Sequence, residues 1–174
     1  MSADDDVYVW IANPKPGTQE PYVKAVMVGT DDLGDDLGAQ CIVKPVGGGP
    51  ELQLRTSEVH PCNPAGHRPD NTQLLYLNEP CVISNITQRY DEQEIYTWTS
   101  RILVAVNPYE DVNLYSDDQA AELPTLPPRD LPPHAFSIAE LAYRGLQRAR
   151  ESQAVVVSGE SGSGARAHPR HPPV

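Results

Sequence analysis

Short apolar runs, each ended by turn-forming residues, fill the first sixty positions of the chain. In the run that follows Pro50, Leu52 and Leu54 alternate with polar residues, which is the pattern of a strand with one buried and one solvent-facing side. Clusters of Asn, Pro, Asp and Gly separate the runs and are typical of turns. The predicted strands are 7–12, 22–29, 39–46 and 52–59. Four short strands at this spacing favour a small antiparallel β-barrel.

A helical pattern replaces the strand pattern after a proline-containing stretch at 61–71, which is expected to be a linker. Pro80 stands where the first turn of a helix tolerates proline, and the apolar residues after it recur at the spacing of one helical face. These residues are Val82, Ile83, Ile86 and Tyr90. A helix is therefore predicted over 80–90.

Two adjoining strands are predicted within 94–108, where apolar and β-branched residues dominate. The second strand, at 102–106, is apolar enough to be buried on both faces of a sheet. A proline-rich acidic stretch at 122–133 follows and is expected to be a loop.

A second helix is predicted from His134 to about Gln153, because apolar residues again share one helical face. These residues are Ile138, Leu141, Ala142 and Leu146. Glu140 and Arg144 are four residues apart and are expected to form an ion pair on this helix. The valines that follow predict a short buried strand at 154–158, which leads into a glycine-rich loop. Strand, loop, helix, strand and glycine loop in this order are typical of an α/β core.

The composition is acidic and rich in proline. The chain carries 13 Lys and Arg residues against 24 Asp and Glu residues, a formal net charge of -11. Such a charge repels polyanions at long range, which disfavours DNA, RNA and anionic lipid as partners. Only 6% of the residues are aromatic and 18 are prolines, which indicates a thin core and much irregular backbone.

Thiols and imidazoles give no sign of a metal site. The three cysteines lie far apart without metal-ligand spacing, and their odd number favours reduced thiols in a cytosolic compartment. His60, His67 and His134 have no carboxylate or cysteine partner at ligand spacing. The first residues do not resemble a secretory signal, and no apolar stretch has bilayer-spanning length. The expectation is a soluble intracellular protein.

The glycine-rich loop from Gly159 to Gly164 is the best candidate for chemistry. Its end glycines have the spacing of the phosphate-binding pattern GxxxxGK[ST], in which backbone N–H groups surround the phosphates. In that pattern the lysine reaches the β and γ phosphates and the Ser/Thr hydroxyl binds Mg²⁺. Ala165 and Arg166 occupy these two positions in this chain. Alanine has no charge, and a guanidinium has no lone pair for a metal.

The residues after the loop also depart from the pattern. Prolines at 169, 172 and 173 oppose the helix whose N-terminus would face the anion, because a proline inside a helix costs ~3 kcal/mol. Short runs of small residues are common in flexible linkers, so the loop alone is a weak indication of a phosphate site.

Several motifs in a fixed order resemble the beginning of a myosin motor domain. They are YLNEP at 76–80, IYT at 95–97, AVNPY at 105–109, PHAFSIAELAY at 133–143 and SGESGSG at 158–164. Residues 7–60 also resemble the small SH3-like barrel that precedes many myosin motors. In a complete motor the strands at 102–106 and 154–158 would have neighbours from later sequence, so their edges are expected to stay exposed in this chain.

The resemblance implies a small SH3-like antiparallel β-barrel followed by an incomplete α/β P-loop NTPase domain, the myosin motor. It places the barrel with its linker at 1–65, the start of the motor domain at 66–164, and a disordered tail rich in Pro, His and Arg at 165–174. The abrupt departure from the family after Gly164 is typical of a truncated gene model, a retained intron or a frameshift.

The resemblance also implies nucleotide-binding roles. Asn107, Pro108 and Tyr115 fit the family's NPxxxxxxY purine-binding loop and would line the adenine pocket. The phosphate-loop backbone would be formed by Gly159, Glu160, Ser161, Gly162, Ser163 and Gly164. Two positions depart from the family, namely Glu110, where many members carry lysine, and Ser163, where alanine is commoner.

The implied cofactor is ATP with Mg²⁺, the implied partners are actin filaments, and the implied location is the cytoplasmic cytoskeleton. Hydrolysis needs the metal, the lysine and a positioned water together. The chain is therefore expected not to hydrolyse ATP itself, and no catalytic residue is assigned. The alternative is a non-enzymatic interaction module, in which the barrel and the stretch 122–133 bind other proteins and the nucleotide loop is vestigial.

Overall fold

The computed structural model describes residues 6–15, 17–31, 39–110 and 112–163. The chain divides into two compact units. Unit 1 comprises Met1–Ala65 with Leu75–Ser84, and unit 2 comprises Gly66–Leu74 with Asn85–Val174. The tail predicted at 165–174, together with Gly164, lies outside the described residues.

Unit 1 contains a five-stranded antiparallel sheet. Its strands are β1 Tyr8–Ala12, β2 Tyr22–Asp31, β3 Gln40–Pro45, β4 Leu52–Arg55 and β5 Val59–Pro61, in the order β4-β3-β2-β1-β5. The four predicted strands are confirmed in position. The prediction of one strand over 52–59 is wrong in length, because the Glu58 carboxylate accepts a hydrogen bond from the Arg55 amide at 2.9 Å and turns the chain into a 3₁₀ turn. The fifth strand begins after that turn.

The core of unit 1 is small and consists of inward-facing strand residues. Its buried members are Val9, Ile11, Ala25, Cys41 and Val43. Leu52 and Leu54 pack against this cluster and are half-buried, as their alternation predicts. Few large side chains take part, which agrees with the low aromatic content.

The predicted first helix is confirmed as α1, Glu79–Asp91. Asn78 caps its start, because the Asn78 side-chain oxygen accepts a hydrogen bond from the Cys81 amide at 3.0 Å, and Pro80 lies in the first turn. Two of its four buried residues, however, are polar. They are Asn85 and Arg89, four positions apart, and the other two are Pro80 and Cys81.

Unit 2 contains a β-hairpin formed by β6 Tyr96–Thr99 and β7 Ile102–Ala105. The two adjoining strands are thus confirmed. The prediction that the second is buried on both faces is wrong, because Ile102 is 66% exposed. Within the described part of the chain β7 pairs only with β6. An apolar strand remains open when neither further strands nor helices cover it.

Unit 2 contains the second half of α1 and two further α-helices, α2 Asp117–Glu122 and α3 Ala135–Ala149. α3 confirms the second predicted helix but ends before Gln153, with Arg150 in the left-handed conformation at φ 56°. The Arg144 Nε donates to the Glu140 carboxylate at 2.6 Å, as the spacing predicts. None of the described helices is long and apolar enough to cross a membrane.

The strand predicted at 154–158 is absent from the structure, and its prediction is wrong. This segment has no regular secondary structure, and Val155, Val156 and Val157 are 55%, 88% and 69% exposed. A run of valines becomes a strand only when a neighbouring strand accepts and donates its backbone hydrogen bonds. None of the residues that the structure describes supplies that neighbour.

Candidate nucleotide site

The glycine-rich loop forms a tight turn that its sequence explains. The Ser163 amide donates to the Glu160 carbonyl at 3.1 Å, and Gly162, the third residue of the turn, has a φ of +88°. Positive φ at that position is typical of a type II turn, and it favours glycine because a Cβ atom would be strained there.

Two side chains from the segment after β7 hold this turn. The Asn107 side-chain amide donates to the Gly162 carbonyl at 3.0 Å. The Tyr109 hydroxyl reaches the same carbonyl at 3.4 Å. Residues more than fifty positions apart are therefore brought together at one point of unit 2.

Asn107 also shapes its own segment. Its side-chain oxygen accepts a hydrogen bond from the Tyr109 amide at 3.1 Å, an Asx turn that leaves its amide group directed at the glycine loop. Tyr109 has a φ of +55°, an uncommon conformation for a bulky residue. Long contacts from the Tyr90 hydroxyl to the carbonyls of Asn107 and Pro108, at 3.5 and 3.4 Å, add only weak support.

Tyr115 lies in a different set of contacts. Its hydroxyl is 2.7 Å from that of Tyr96, and its ring packs against His134 and Phe136 at centroid separations of 5.4 and 5.9 Å. Among the described residues, Tyr115 thus hydrogen-bonds to Tyr96 and not to the glycine loop. Of the sequence-predicted site residues, the structure joins Asn107 to Gly162, whereas Tyr115 belongs to this aromatic cluster.

His134 connects the aromatic cluster to the start of α3. Its Nδ1 accepts a hydrogen bond from the Phe136 amide at 3.0 Å and caps the helix. Its Nε2 is 2.7 Å from the Leu114 carbonyl and therefore must carry the proton. The imidazole is neutral in this arrangement, and burial lowers its pKa. Both ring nitrogens of His134 are therefore engaged by backbone groups, which is a structural role.

We expect the stability of unit 2 to fall as the pH drops below about 6.5, the pKa of an unfolded histidine. The folded pKa of His134 is depressed, so the unfolded state binds the proton more readily, and stability present above that pH is lost as pH falls through the folded pKa. Urea unfolding of the wild type and of His134→Gln at pH 7, 6 and 5 measures this loss. Equal losses in both proteins would contradict the assignment to His134.

Unit 2 also contains a buried polar network that sequence reasoning missed. The Asn85 side chain accepts from the Arg68 amide at 2.7 Å and donates to the Arg68 carbonyl at 3.0 Å and to the Asn71 side chain at 2.8 Å. Asn71 then donates to Thr99 at the end of β6 at 2.9 Å. A single asparagine thus fixes segment 68–71 against α1 and the hairpin. One sequence signal could have indicated that Asn85 is buried. Asn85 lies four residues after Cys81 in the predicted helix, on the same helical face.

Arg89, 4% exposed, supports the hairpin in the same way. Its guanidinium donates to the Tyr96 carbonyl at 2.9 Å and to the Thr97 hydroxyl at 3.0 Å, and it pairs with Glu94. It therefore fixes the backbone of the strand that carries Tyr96. Burial lowers the pKa of Arg89, while the charge of Glu94 opposes that shift.

The described residues offer no group of three His, Cys, Asp or Glu side chains arranged for a metal ion. One hydroxyl in the glycine loop is notable. The Ser163 Oγ is shielded from solvent and has no hydrogen-bond partner within the described part of the chain. An orphaned hydroxyl beside a turn of backbone amides fits an anionic oxygen better than an apolar group.

Comparison with known proteins identifies one family. Residues 68–169, more than half of the chain, match the sequence profile of the myosin head (motor domain) family. Individual proteins similar to this chain include three myosins. They are myosin type-2 heavy chain 2 of Schizosaccharomyces pombe, 36% identical over 94% of this chain, Myosin-1 of Saccharomyces cerevisiae, 35% identical over 94%, and Myosin-13 of Arabidopsis thaliana, 36% identical over 90%. The chain spans 7%, 9% and 10% of the lengths of these relatives, respectively.

Proposed function

Because the chain belongs to the myosin family, where it corresponds to the N-terminal part of the motor domain, we propose that segments 107–115 and 159–164 are parts of one purine-nucleotide pocket. Residues 1–65 would be the SH3-like barrel of such a motor with its linker, and 66–164 would be the start of its P-loop NTPase fold. The antiparallel sheet of unit 1 supports the first assignment.

The contact between Asn107 and Gly162 carries this proposal. Asn107 stands in the NPxxxxxxY segment and Gly162 in the glycine loop, and a 3.0 Å hydrogen bond joins them. Asn107, Pro108 and Tyr115 would line the adenine side. Tyr115 would be held by Tyr96, whose hydroxyl is 2.7 Å away.

The phosphate side would be formed by the backbone of Gly159 to Gly164. The unpartnered Ser163 hydroxyl suits a phosphate oxygen. When bound, Mg²⁺ would neutralise charge on the phosphates. Neither Ala165 nor Arg166 offers a ligand to that ion or a compact cation for the γ phosphate. The glycine loop therefore suits the phosphates better than the metal.

The activity of the whole protein is part of the proposal. We expect ATP-driven movement on actin filaments and a location on the cytoplasmic cytoskeleton, as the myosin family implies. The 174-residue chain by itself would bind ATP weakly and would not hydrolyse it, because the phosphate lysine and the Mg²⁺ hydroxyl are both replaced. Steady-state phosphate release above the buffer background, with or without actin, would contradict this.

The double substitution Ala165→Lys with Arg166→Thr tests the pocket. It leaves the formal net charge at -11 and restores the phosphate-binding pattern, so we expect the affinity for ATP with Mg²⁺ to rise roughly ten-fold. Calorimetric titration measures the change, and Arg166→Thr alone is the control that lacks the ammonium group. An affinity equal to that of the control would argue against a phosphate site at this loop.

A further inference from the structure

The end of β5 is fastened to the first turn of α1 inside unit 1. The Pro61 carbonyl accepts two hydrogen bonds from this turn, one from the Asn78 side-chain amide at 3.1 Å and one from the Cys81 thiol at 3.3 Å. The Asn78 side-chain oxygen also caps the helix through the Cys81 amide. The residue that follows Pro61 is Cys62.

A second pair of hydrogen bonds holds the residue on the other side of Cys62. The Asn63 side-chain amide donates to the Tyr76 carbonyl at 2.9 Å, and its oxygen accepts from the Tyr76 amide at 2.9 Å. Cys62 is therefore held between two residues that are each bonded to segment 76–81. Its position relative to Cys81 is fixed by backbone contacts on both sides.

The distance between these cysteines suits a disulfide. Cis peptide bonds are absent from the described residues, so the Pro61 oxygen lies about 3 Å from the Cα atom of Cys62. With the Cys81 sulfur 3.3 Å from that oxygen, the sulfur is within roughly 6 Å of the Cys62 Cα atom. A disulfide then requires the Cys62 side chain to turn toward Cys81 and, at the upper end of that range, a small approach of the two segments.

The two thiols differ in access. Cys62 is half-buried and lines an open groove of about 650 Å³ together with Val9, Met27 and Tyr76. Cys81 is only 3% exposed, and the third cysteine, Cys41, lines the same groove but is fully buried. A small solute in the groove therefore meets Cys62 first.

We propose that Cys62 and Cys81 are a redox-responsive pair that closes to an intramolecular disulfide when the chain meets a peroxide. The Cys62 thiolate attacks one peroxide oxygen, the O–O bond breaks, and the products are a sulfenic acid and hydroxide, which takes up the proton that Cys62 released. The Cys81 sulfur then gives up its proton and attacks the Cys62 sulfur, and that proton leaves with the displaced hydroxyl group as water. The two sulfurs supply the two electrons that reduce the peroxide, and a dithiol reverses the bond.

The rate of closure should depend steeply on pH. Burial raises the pKa of the Cys62 thiol to about 11, with a smaller opposing effect of Lys24 and a raising effect of Cys81. Only the thiolate reacts, so we expect the rate to rise roughly ten-fold per pH unit between pH 7 and 9. The slow reaction at neutral pH distinguishes Cys62 from a catalytic cysteine, whose thiol pKa is lowered.

Peptide mapping of the oxidised full chain tests the proposal. The reduced chain, at low micromolar concentration, is treated with hydrogen peroxide at pH 9, alkylated, and cleaved after Arg55 and before Asp70, which places each cysteine on its own peptide. We expect peptides 56–69 and 70–89 to be cross-linked in most molecules and to separate in dithiothreitol. The cross-link should persist in Cys41→Ser and disappear in Cys62→Ser.

Three results would overturn the pair. Cys62 could end as a sulfinic acid, or in a disulfide between two chains, while Cys81 remains a thiol. The cross-link could form no more selectively in the folded chain than in guanidinium chloride, where the three cysteines pair without preference. Equal closure rates at pH 7 and pH 9 would contradict attack by Cys62.

Discussion

Replacing Asn85 with alanine is expected to destabilise unit 2 by about 3 kcal/mol, because it leaves several buried polar groups without partners. Asn85 is 2% exposed. Its loss removes the acceptor for the Arg68 amide, the donor to the Arg68 carbonyl and the donor to Asn71, which is itself fully buried. Urea unfolding followed by circular dichroism measures the change in free energy.

Asn63 provides a matched control for that substitution. Its side chain makes the same two bonds to a backbone amide and carbonyl, those of Tyr76, but Tyr76 is 41% exposed. Water can replace these bonds, so Asn63→Ala should cost about 1 kcal/mol or less. Equal costs at the two asparagines would show that burial of the Asn85 network does not determine its contribution.

Hydrogen exchange is expected to be about 10³-fold or more faster at Val155 to Val157 than at the central amides of β2. β2 is bonded on one side to β1 and on the other to β3, and Ala25 in its middle is fully buried. The valines are exposed and have no ladder hydrogen bonds among the described residues. Mass spectrometry of the exchanging chain, resolved to peptides, measures the ratio.

β7 should exchange at an intermediate rate. It has one hydrogen-bonded partner, β6, and its first residue, Ile102, is largely exposed. Protection of 100–106 and 154–158 as strong as that of 22–28 would mean that these segments have sheet neighbours outside the described residues. Deletion of 154–158 would then test whether the valines are the neighbour that protects β7. Unchanged protection of β7 in the deletion variant would show that they are not.

Local patterns in the sequence predict most of the elements but not their partners. The apolar spacing located α1, yet its buried stripe contains Asn85 and Arg89. Backbone and side-chain groups elsewhere in the chain supply their hydrogen-bond partners, which allows these residues to be buried. Hydrophobic periodicity carries no information about such partners.

Two strand predictions were wrong, one for a local reason and the other for a long-range reason. The break between β4 and β5 depends on Glu58 reaching the Arg55 amide, a capping contact that the spacing of the two residues would have allowed us to predict. The missing strand at 154–158 could not be predicted from its own valines. A strand depends on pairing, and pairing is a property of the rest of the sheet.

The candidate site was located by resemblance more than by physical pattern. An Asn-Pro turn and a glycine-rich run are each common, and neither predicts that Asn107 will bond to Gly162. Tyr109, which reaches the same carbonyl, lay inside the purine-loop pattern without an assigned role. The contacts of Tyr96 and His134 with Tyr115 each join residues 19 positions apart, and no local pattern predicts them.

Titration of the isotope-labelled chain with ATP and Mg²⁺, followed by nuclear magnetic resonance, tests the proposed pocket most directly. We predict that the Asn107 side-chain amide and the Gly162 backbone amide shift together up to about 10 mM ATP, with one shared affinity that Asn107→Ala weakens. Shifts confined to unit 1, or no shift at either amide, would contradict the assignment of 107–115 and 159–164 to one nucleotide site.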